Sequence, residues 1–462
     1  MKMLGCLEDL KSKLFGSSGV RGLVNKSLTP VLTAEIGLAV TAFANVKKVL
    51  VARDTRVSGP MLEEGLVSGL LAGGADVTVL GVIPTPVLAY LTKTLGADVG
   101  LMITASHNPP QYNGVKIFDC NGIAYGEKNQ GNVEKIIQTK QFRRVDWRSV
   151  GKATFSEQDQ LYAIMVRKKV KLHRNWRVVV DPGCGATYRL APMILKELGC
   201  RLIVVNAQPD GFFPARSPEP NGDSLKSLAL IVKELGADVG VAYDGDGDRV
   251  AFIDEDGIFA DFDRILAAYA GHVVRGSNGG PIVTTVEASM CVEKMVEAEG
   301  GKVRRTKVGD VYVSEAIKKY DAVFGGEPCG AWIHPHFHCC PDGILSAVLF
   351  LKALEEKNKS LSEFLSEVPQ YLTLRKNVAC NDKTKYQIVE KVGEGIKSIF
   401  PKYRKLSAID GVRLDLDNGW VLIRSSGTEP LIRITVEGES LIAAKQIMQE
   451  SLRLVRNLSG ES

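Results

Sequence analysis

An internal repeat constrains the fold of this chain more than any other feature of its sequence. The hexapeptide LGADVG at 95–100 recurs at 235–240, and a weaker third copy, YDAVFG, occupies 320–325. Matching the aspartates of the copies places Asp98 opposite Asp238, an offset of 140 residues, and opposite Asp321, an offset of 223. Each copy has the pattern of a helix end, a tight turn and a short buried strand. The repeat therefore predicts three related α/β units.

The loop that follows each repeated strand has its own chemistry. The three loops are TASHNPPQYNG at 104–114, DGDGDR at 244–249 and GGEPCG at 325–330. The same alignment places Ser106 opposite Asp246 and Cys329. Ligands of open α/β sheets bind at the carboxyl ends of the strands, so we expect these loops to form the functional site.

The last part of the chain does not repeat the unit. It reads as a helix at 385–399, strands at 410–416, 419–423 and 431–437, and a helix at 440–457. We therefore predict an α/β protein with three similar domains that contain mixed sheets, followed by a separate C-terminal α+β domain. The predicted domains are residues 1–150, 151–255, 256–368 and 369–462.

Charge and composition indicate a protein of the cytoplasm. The net charge of +5 is too small to argue for a nucleic-acid partner. Residues 1–14 carry charged side chains and lack the apolar core of a signal peptide, and no uncharged apolar run approaches the roughly 18 residues of a membrane span. We expect a cytoplasmic protein without nucleic-acid or membrane partners, whose nine cysteines are free thiols.

The DGDGDR loop has the pattern of a metal site. Asp244, Asp246 and Asp248 alternate with glycines that let the backbone curl until the carboxylates converge. Converged carboxylates repel one another unless a cation neutralises them, and oxygen ligands favour Mg²⁺ or Ca²⁺. The alternatives are a solvated acidic turn and an EF-hand. The EF-hand is disfavoured because Arg249 stands where its glycine is needed and an apolar strand precedes the loop.

The first loop carries a candidate nucleophile. Ser106, His107 and Asn108 follow an apolar strand directly, and two prolines stiffen the chain behind them. A serine beside a histidine is weak evidence alone, because most such pairs are ordinary loop residues. Its alignment with Asp246 strengthens the hypothesis, since a seryl oxygen beside a divalent cation is an arrangement for phosphoryl transfer.

A third polar segment, RSSGTEP at 424–430, lies between two predicted strands. Guanidinium, hydroxyl groups and the exposed amides around a glycine together form a phosphate-binding site, although a plain polar turn is the alternative. We assign Arg424, Ser426, Gly427 and Thr428 to this site.

Two other segments resemble sites of a different kind. DPGCG at 181–185 follows a strand but lacks the third glycine of a dinucleotide fingerprint, because Tyr188 stands there. HPHFHCC at 334–340 contains half of the histidines and two thiols. It is a transition-metal site, a segment that lines the active site, or a plain loop.

Together these motifs resemble the α-D-phosphohexomutase family along the whole chain. FGSSGVRG at 15–22 resembles its N-terminal signature, TASHNPPQYNG its phosphoserine loop and DGDGDR its metal loop. GEPCG at 326–330 resembles its sugar-recognition loop, and RSSGTEP its phosphate loop. The family implies four domains around a central cleft, one Mg²⁺ per chain, and a hexose 1,6-bisphosphate that serves as intermediate and activator.

The resemblance also implies roles for single residues. Ser106 would carry the phosphoryl group and complete the metal site, while Arg21, His107 and Lys116 would assist the transfer. The residues that would bind the hexose phosphate are Arg249, Lys307, Glu327, Cys329, Arg424, Ser426, Gly427 and Thr428. The family usually has serine where this chain has Cys329, and many members have histidine where it has Ala331.

Substrate and assembly are the least constrained expectations. TKVGD at 306–310 and SGTEP at 426–430 are more similar to members that act on glucosamine phosphates, whereas Ser18 resembles members of mixed specificity. We expect conversion of glucosamine 6-phosphate to glucosamine 1-phosphate by a monomer or homodimer. The alternatives are a phosphomannomutase/phosphoglucomutase, a metal-dependent sugar phosphatase and a non-catalytic sugar-phosphate binding protein.

Overall fold

The computed structural model describes residues 14–16, 18–381, 384–426 and 430–459. The chain divides into two compact units. Unit 1 comprises Met1–Ala260 and Cys329–Ser362, and unit 2 comprises Asp261–Pro328 and Glu363–Ser462.

The first part of unit 1 is an α/β domain built on one mixed sheet. The sheet has the order β1-β2-β6-β5-β3-β4-β7, in which β3 pairs in parallel with β4 and β5, while β6 pairs antiparallel with β2 and β5. Its elements are β1 (Phe15–Gly16), β2 (Gly19–Leu23), α1 (Pro30–Ala44), β3 (Lys48–Arg53), α2 (Gly59–Ala72), β4 (Asp76–Val82), α3 (Thr85–Thr94), β5 (Val99–Ile103), β6 (Tyr112–Asp119), α4 (Glu127–Thr139) and β7 (Ala153–Phe155).

Local signals set the ends of these helices. The Thr29 side chain accepts a hydrogen bond from the Leu32 amide at 3.2 Å, and Pro30 supplies the first helical turn of α1. The helix ends at Asn45, whose φ of 47° is left-handed. The apolar side chains of α1 and α2 pack on the central strands, with Ile36, Leu66 and their neighbours fully buried.

The second part of unit 1 repeats the arrangement on a smaller scale. Its sheet has the order β11-β10-β8-β9, in which β8 pairs in parallel with β9 and β10, and β11 pairs antiparallel with β10. Its elements are α5 (Gln160–Lys169), β8 (Arg177–Asp181), α6 (Leu190–Glu197), β9 (Arg201–Val204), α7 (Lys226–Glu234), β10 (Val239–Tyr243) and β11 (Val250–Ile253).

Unit 2 begins with a third α/β segment, in which β12 lies between β13 and β14 and pairs in parallel with both. Asp261 begins α8 by accepting hydrogen bonds from the amides of Asp263 and Arg264. The elements of this part of the chain are α8 (Phe262–Gly276), β12 (Pro281–Thr285), α9 (Cys291–Ala298), β13 (Lys302–Thr306), α10 (Asp310–Tyr320) and β14 (Phe324–Gly326). The chain then returns to unit 1 with β15 (Trp332–Ile333) and α11 (Gly343–Lys357), and α12 (Leu361–Ser366) follows.

The C-terminal part of unit 2 is an α+β domain. Its antiparallel sheet has the order β16-β20-β19-β18-β17, with two helices packed on it. Its elements are β16 (Leu372–Ala379), α13 (Lys385–Ile399), β17 (Tyr403–Ser407), β18 (Val412–Leu416), β19 (Gly419–Ser425), β20 (Leu431–Gly438) and α14 (Leu441–Ser459). The sequence predicted the two helices and three of these strands. It missed β16 and β17, whose largely exposed side chains lack an apolar signal.

The repeat in the sequence corresponds to a repeat in the structure. Val49 pairs with Val99 in the first copy, and Val178 pairs with Val239 in the second. In both copies the repeated aspartate bonds to the start of the neighbouring strand, since Asp98 accepts from the Lys48 amide and Asp238 accepts from the Arg177 amide at 2.7 Å. In each copy the carboxylate thus helps to fix the register of the two parallel strands.

The alignment of the third copy was wrong by two residues. Asp321 has a φ of 51° and occupies the left-handed position that Gly96 takes in the first copy. The amide of Val323, not that of Asp321, bonds to the neighbouring strand at Pro281, as the Asp98 amide bonds to Lys48. The structural equivalence of Cys329 and Ser106 therefore does not hold. The error arose because an aspartate can fill either position, as a strand cap or in the left-handed turn.

Candidate active site

Three buried carboxylates converge in unit 1 at the end of β10. One oxygen from each of Asp244, Asp246 and Asp248 lies within 4.8 Å of the others. Asp244 Oδ1 accepts hydrogen bonds from the amides of Gly247 at 2.9 Å and Arg249 at 3.2 Å, which curls the loop around it. Gly247 allows this curl because its φ of 75° is left-handed. The convergence predicted from the spacing is present.

Two side chains of the first domain reach this trio. Lys116 on β6 places Nζ 2.8 Å from Asp246 Oδ2 and 2.6 Å from Asp248 Oδ2. Thr85, at the start of α3, donates its hydroxyl to Asp246 Oδ2 at 2.5 Å and its amide to the Asp246 carbonyl at 2.9 Å. These contacts join the first two domains at the carboxylates.

The electrostatics of the trio fit a divalent cation. Burial and the neighbouring carboxylates raise the pKa of Asp244 and the pKa of Asp248. Burial also opposes the charge on Asp246, but Lys116 and Thr85 outweigh it and lower the pKa of that carboxyl. Among the side chains that the structure describes, Asp246 Oδ1 and Asp248 Oδ1 are buried without a hydrogen-bond partner. Such oxygens are suited to bind Mg²⁺, which prefers carboxylate ligands.

Ser106 lies directly against the trio. Its Oγ donates a hydrogen bond to Asp244 Oδ2 at 2.7 Å, and its side chain is buried. The residue has a φ of 50°, which is uncommon for a residue that carries a side chain. Its amide donates to Thr104 Oγ1 at 2.8 Å. The backbone turn after β5 thus aims the hydroxyl at the carboxylates.

Gly245 makes this approach possible. A Cβ atom built on Gly245 would lie 2.6 Å from the Ser106 carbonyl oxygen, closer than non-bonded contacts allow. The two loops therefore touch main chain to main chain, and glycine is required by contact rather than by its backbone angles.

A linked set of three side chains, His107, Glu219 and Arg249, begins beside the Ser106 hydroxyl. His107 Nδ1 lies 3.3 Å from Ser106 Oγ, and His107 Nε2 lies 3.5 Å from Glu219 Oε2. The other oxygen of Glu219 accepts from Arg249 Nη1 at 2.8 Å. Burial lowers the pKa of His107 to about 2, with Arg249 and Arg21 adding repulsion. The imidazole is therefore neutral in this arrangement.

Arg21 and Cys329 complete the group of predicted residues in unit 1. Arg21 donates from Nη1 to Asn108 Oδ1 at 2.9 Å, next to the serine loop. Cys329 is half-buried and interacts electrostatically with Arg249. The structure thus brings the predicted catalytic residues, the trio, Arg249 and Cys329 into unit 1.

The remaining predicted residues belong to unit 2. Glu327 is buried, and its Oε2 accepts from the Gly309 amide at 3.0 Å, which joins the GEPCG loop to the TKVGD loop. In that second loop, Lys307 Nζ lies 5.2 Å from the centre of the Tyr312 ring.

In the C-terminal domain, Arg424 pairs through Nη2 with Glu287 Oε1 at 2.7 Å and through Nη1 with Asp410 Oδ2 at 3.4 Å. Ser426 is buried, and its amide donates to the Leu431 carbonyl at 2.9 Å. Gly427 and Thr428 lie outside the described residues.

The histidine- and cysteine-rich segment supports the fold. His334 Nε2 lies 2.9 Å from Ser346 Oγ, and His338 Nε2 lies 2.8 Å from Asp342 Oδ2. Asp342 also caps α11 and accepts the Tyr162 hydroxyl at 2.7 Å. Within the ranges that the structure describes, the aspartate trio alone has the geometry of a metal-binding group. The eight cysteines in those ranges are free thiols, as expected.

Sequence reasoning missed Thr85, Glu219 and the buried Arg56, which is discussed below. Thr85 contacts Asp246, and Glu219 contacts His107, across more than a hundred residues of sequence, and neither lies in a motif. A threonine at the start of a helix has an ordinary capping interpretation, so its sequence carried no functional signal. In the described part of the chain, none of the helices is long and apolar enough to cross a bilayer.

Comparison with known families places the whole chain in one group. Family models of phosphoglucomutase/phosphomannomutase match it in order: α/β/α domain I at residues 12–144, domain II at 159–257, domain III at 261–371 and the C-terminal domain at 376–454.

Similar proteins span almost the full length. A probable phosphoglucosamine mutase of Methanothermobacter thermautotrophicus is 43% identical over 98% of this chain and 100% of the relative. One of Pyrococcus abyssi is 42% identical over 96% of this chain and 98% of the relative. The phosphoglucosamine mutase of Methanocaldococcus jannaschii is 42% identical over the same two shares.

A solved structure agrees with these matches. A phosphoglucomutase/phosphomannomutase family protein from Burkholderia thailandensis superimposes with a TM-score of 0.88 at 27% identity, covering 96% of this chain and 97% of that one. Four domain matches, long relatives and a shared fold lead to one assignment. The chain belongs to the phosphoglucomutase/phosphomannomutase family of α-D-phosphohexomutases.

Proposed function

We propose that this chain interconverts hexose 6-phosphate and hexose 1-phosphate through a phosphorylated Ser106 and a 1,6-bisphosphate intermediate. The observation that carries the proposal is the contact of Ser106 Oγ with Asp244 Oδ2 at 2.7 Å, in a site with two further buried carboxylates. A nucleophilic hydroxyl beside a cation-binding trio is suited to phosphoryl transfer, because positioning and charge neutralisation supply most of that catalysis.

The proposed reaction has two transfers. In the first, the P–O bond to Ser106 Oγ breaks and a new P–O bond forms to the free hydroxyl of the hexose phosphate, whose proton passes to the serine oxygen. The resulting bisphosphate turns over within the site. In the second, Ser106 Oγ takes the other phosphoryl group, and the proton returns to the sugar. The enzyme ends as it began.

The chain's own residues prepare these steps. Ser106 is held in place by its backbone turn, and neutral His107 lies beside its hydroxyl. Lys116 bonds to the trio and Arg21 to Asn108 of the serine loop, so that with His107 they would offset charge and guide the proton. Asp244, Asp246 and Asp248, with the phosphorylated Ser106, would hold one Mg²⁺. When bound there, Mg²⁺ supplies positive charge that neutralises the phosphoryl oxygens.

We propose substrate-binding residues within each unit. Arg249 and Arg424 are guanidinium groups paired with carboxylates, which a phosphate can replace as partners. Buried Glu327 suits recognition of sugar hydroxyls. The full proposed set is Arg249, Lys307, Glu327, Cys329, Arg424, Ser426, Gly427 and Thr428.

We propose glucosamine 6-phosphate as the preferred substrate. The support is the name of the similar proteins, phosphoglucosamine mutase, together with the TKVGD and SGTEP motifs. Turnover of glucosamine, glucose and mannose phosphates should be compared under identical conditions. Higher kcat/KM for mannose or glucose phosphate would instead indicate a phosphomannomutase/phosphoglucomutase.

The mechanism is tested with Ser106→Ala. After treatment with hexose 1,6-bisphosphate, wild-type protein should gain one phosphate in intact-mass spectra. Added bisphosphate should also abolish a lag in wild-type turnover. The variant should gain no phosphate and should not turn over the substrate. A wild-type protein that never carries phosphate, or that releases inorganic phosphate steadily without forming the isomer, contradicts the mutase and favours a phosphatase.

We further propose that the enzyme acts in the cytoplasm on free hexose phosphates, as a monomer or homodimer, without nucleic acid or membrane. The modest net charge of +5 is consistent with a small anionic substrate. Light scattering after gel filtration would give the oligomeric state, and a mass above that of a dimer would contradict it.

A further inference from the structure

Arg56 is a buried cation outside every motif of the site. Its side chain has no exposed surface, and it pairs through Nε with Asp54 Oδ2 at 3.0 Å. The same Asp54 oxygen accepts the Thr104 hydroxyl at 2.7 Å. A fully buried arginine is costly unless every donor finds a partner, so the contacts of this group indicate its role.

The remaining N–H groups of the guanidinium donate to carbonyls of the serine loop. Nη2 donates to the carbonyls of Ser106 at 2.8 Å and Asn108 at 2.6 Å. Nη1 donates to the carbonyls of Pro109 at 2.8 Å and Tyr112 at 3.0 Å. With the bond to Asp54, these contacts use all five donors of a guanidinium. One side chain thus fastens the loop from Ser106 to the start of β6.

This attachment acts where the backbone is strained. Ser106 has a φ of 50°, a conformation that costs free energy for a residue with a side chain and persists only when its surroundings enforce it. The Ser106 carbonyl is held by Arg56, and its amide is held by Thr104 Oγ1 at 2.8 Å. Thr104 in turn bonds to Asp54, so both ends of the serine peptide depend on one ion pair.

The same segment contacts the second domain. The Arg56 guanidinium lies 5.1 Å from the centre of the Phe213 ring, and Thr55 Oγ1 donates to the Cys184 carbonyl at 2.9 Å. Gly211 packs so tightly that a Cβ there would lie 2.3 Å from the Val57 amide nitrogen. The segment 54–57 therefore fixes the serine loop while resting on the domain that carries the aspartate trio.

The second domain contains a comparable device. Arg216 pairs through Nε with Asp181 Oδ2 at 2.9 Å, and its Nη2 donates to the Tyr243 carbonyl at 2.7 Å. Tyr243 immediately precedes Asp244, so this arginine fastens the start of the metal loop. The first two domains thus each use a buried arginine–aspartate pair to hold the main chain of their functional loop.

We propose that Arg56 is a positioning residue that holds Ser106 in its left-handed conformation and so aims Oγ at the aspartate trio. This inference rests on the proposed phosphoryl transfer. Arg56 acts through the main chain of the serine loop, so its loss alters the geometry of the transfer and leaves the groups assigned to sugar binding in place. Lysine at this position keeps the charge, but its ammonium group has three donors and cannot bond to all four carbonyls.

The test compares Arg56→Lys with Leu66→Ala, a cavity variant in the core of the same domain. Leu66 is fully buried in α2 and belongs to neither loop. For Arg56→Lys we expect kcat to fall about 100-fold, the loss typical of a 1 Å displacement of reacting groups, with KM within about threefold of wild type. Leu66→Ala should lower the thermal midpoint while keeping kcat.

Hydrogen exchange gives a readout that does not depend on turnover. In Arg56→Lys the amides of residues 106–108, 111 and 112 should exchange at least about tenfold faster, whereas Leu66→Ala should leave them protected. Thr104→Val is a milder second variant in case Arg56→Lys fails to fold. It removes the hydroxyl between Asp54 and the Ser106 amide, and it should lower kcat about tenfold.

The outcomes separate this inference from the proposed function. Wild-type kcat and loop protection in Arg56→Lys, or in Thr104→Val if only that variant folds, would overturn the positioning role. So would an equal loss of kcat in Leu66→Ala, because instability would then explain the effect. If wild-type protein performs no transfer, the proposed function fails, whereas faster exchange confined to residues 106–112 would still establish the attachment of the loop.

Discussion

The contact of Gly245 with the Ser106 carbonyl allows a quantitative prediction from a single added methyl group. In Gly245→Ala, the new Cβ would lie 2.6 Å from that oxygen, whereas ordinary van der Waals contact begins at 3.4 Å. The serine and metal loops must therefore separate by about 0.8 Å. The serine loop cannot yield freely, because the same carbonyl accepts from Arg56 Nη2 at 2.8 Å.

This separation sets the expected losses of kcat and of the free energy of unfolding. Displacing reacting groups by about 1 Å costs about 100-fold in rate, so kcat for the mutase reaction should fall about 100-fold. That factor corresponds to about 2.7 kcal/mol of transition-state stabilisation. The overpacked contact should also lower the free energy of unfolding by about 1–3 kcal/mol. KM should change little, since the methyl group faces the main chain of the serine loop.

Gly131→Ala is the matched control. Gly131 lies within α4, and an added Cβ there would meet nothing within 4 Å. Alanine is favoured over glycine in a helix, so this variant should gain about 0.5–1 kcal/mol and keep wild-type kcat. Coupled turnover assays and chemical denaturation measure both effects. A Gly245→Ala enzyme with wild-type kcat and stability would refute the claim that the two loops touch main chain to main chain.

Three further predictions concern the aspartate trio and the buried His334. Lys116→Met leaves Asp246 and Asp248 without their cation, so metal-free protein should lose about 3–5 kcal/mol of unfolding free energy. Added Mg²⁺ should restore more of this stability than it adds to wild type in thermal denaturation, and equal shifts would count against the trio as the Mg²⁺ site. Thr85→Val removes a donor to Asp246 and should weaken Mg²⁺ binding about 10- to 100-fold by calorimetry, and an unchanged affinity would exclude this supporting role. Burial lowers the pKa of His334 to about 3 from 6.5, so its contribution to stability is complete above pH 6.5 and is lost as pH falls toward 3. Between pH 7 and 5, wild type should therefore lose about 2 kcal/mol more than His334→Gln in denaturant titrations, and parallel pH profiles would contradict this.

The structure adds two carboxylate partners to Arg424, a residue that the sequence had singled out. The sequence marked it as a phosphate ligand, and the structure pairs it with Glu287 and Asp410. Asp410 Oδ2 also accepts from the Val308 amide at 3.3 Å, in the TKVGD segment. The C-terminal arginine is therefore connected to the TKVGD loop through a carboxylate that no motif contains.

Local patterns were sufficient for the fold class and for the convergence of the three aspartates. Apolar strands that end in loops, glycines at left-handed turns and three aspartates spaced by two are properties of short segments, and they are readable without coordinates. The same logic failed for the third copy, where an aspartate occurs at a left-handed turn instead of a strand cap, and for the exposed strands β16 and β17.

The sequence alone determined that the chain repeats an α/β unit and that it carries a serine after one buried strand and three aspartates spaced by two after another. Only the tertiary structure decided which groups act on one another: Lys116 with Asp246, Glu219 with His107 and Arg56 with the serine loop. The physical reason is that hydrogen bonds to distant carboxylates and main-chain carbonyls depend on position in space, not on the residues next in the chain. A buried arginine that bonds to four carbonyls has no signature in sequence, because every residue supplies a carbonyl.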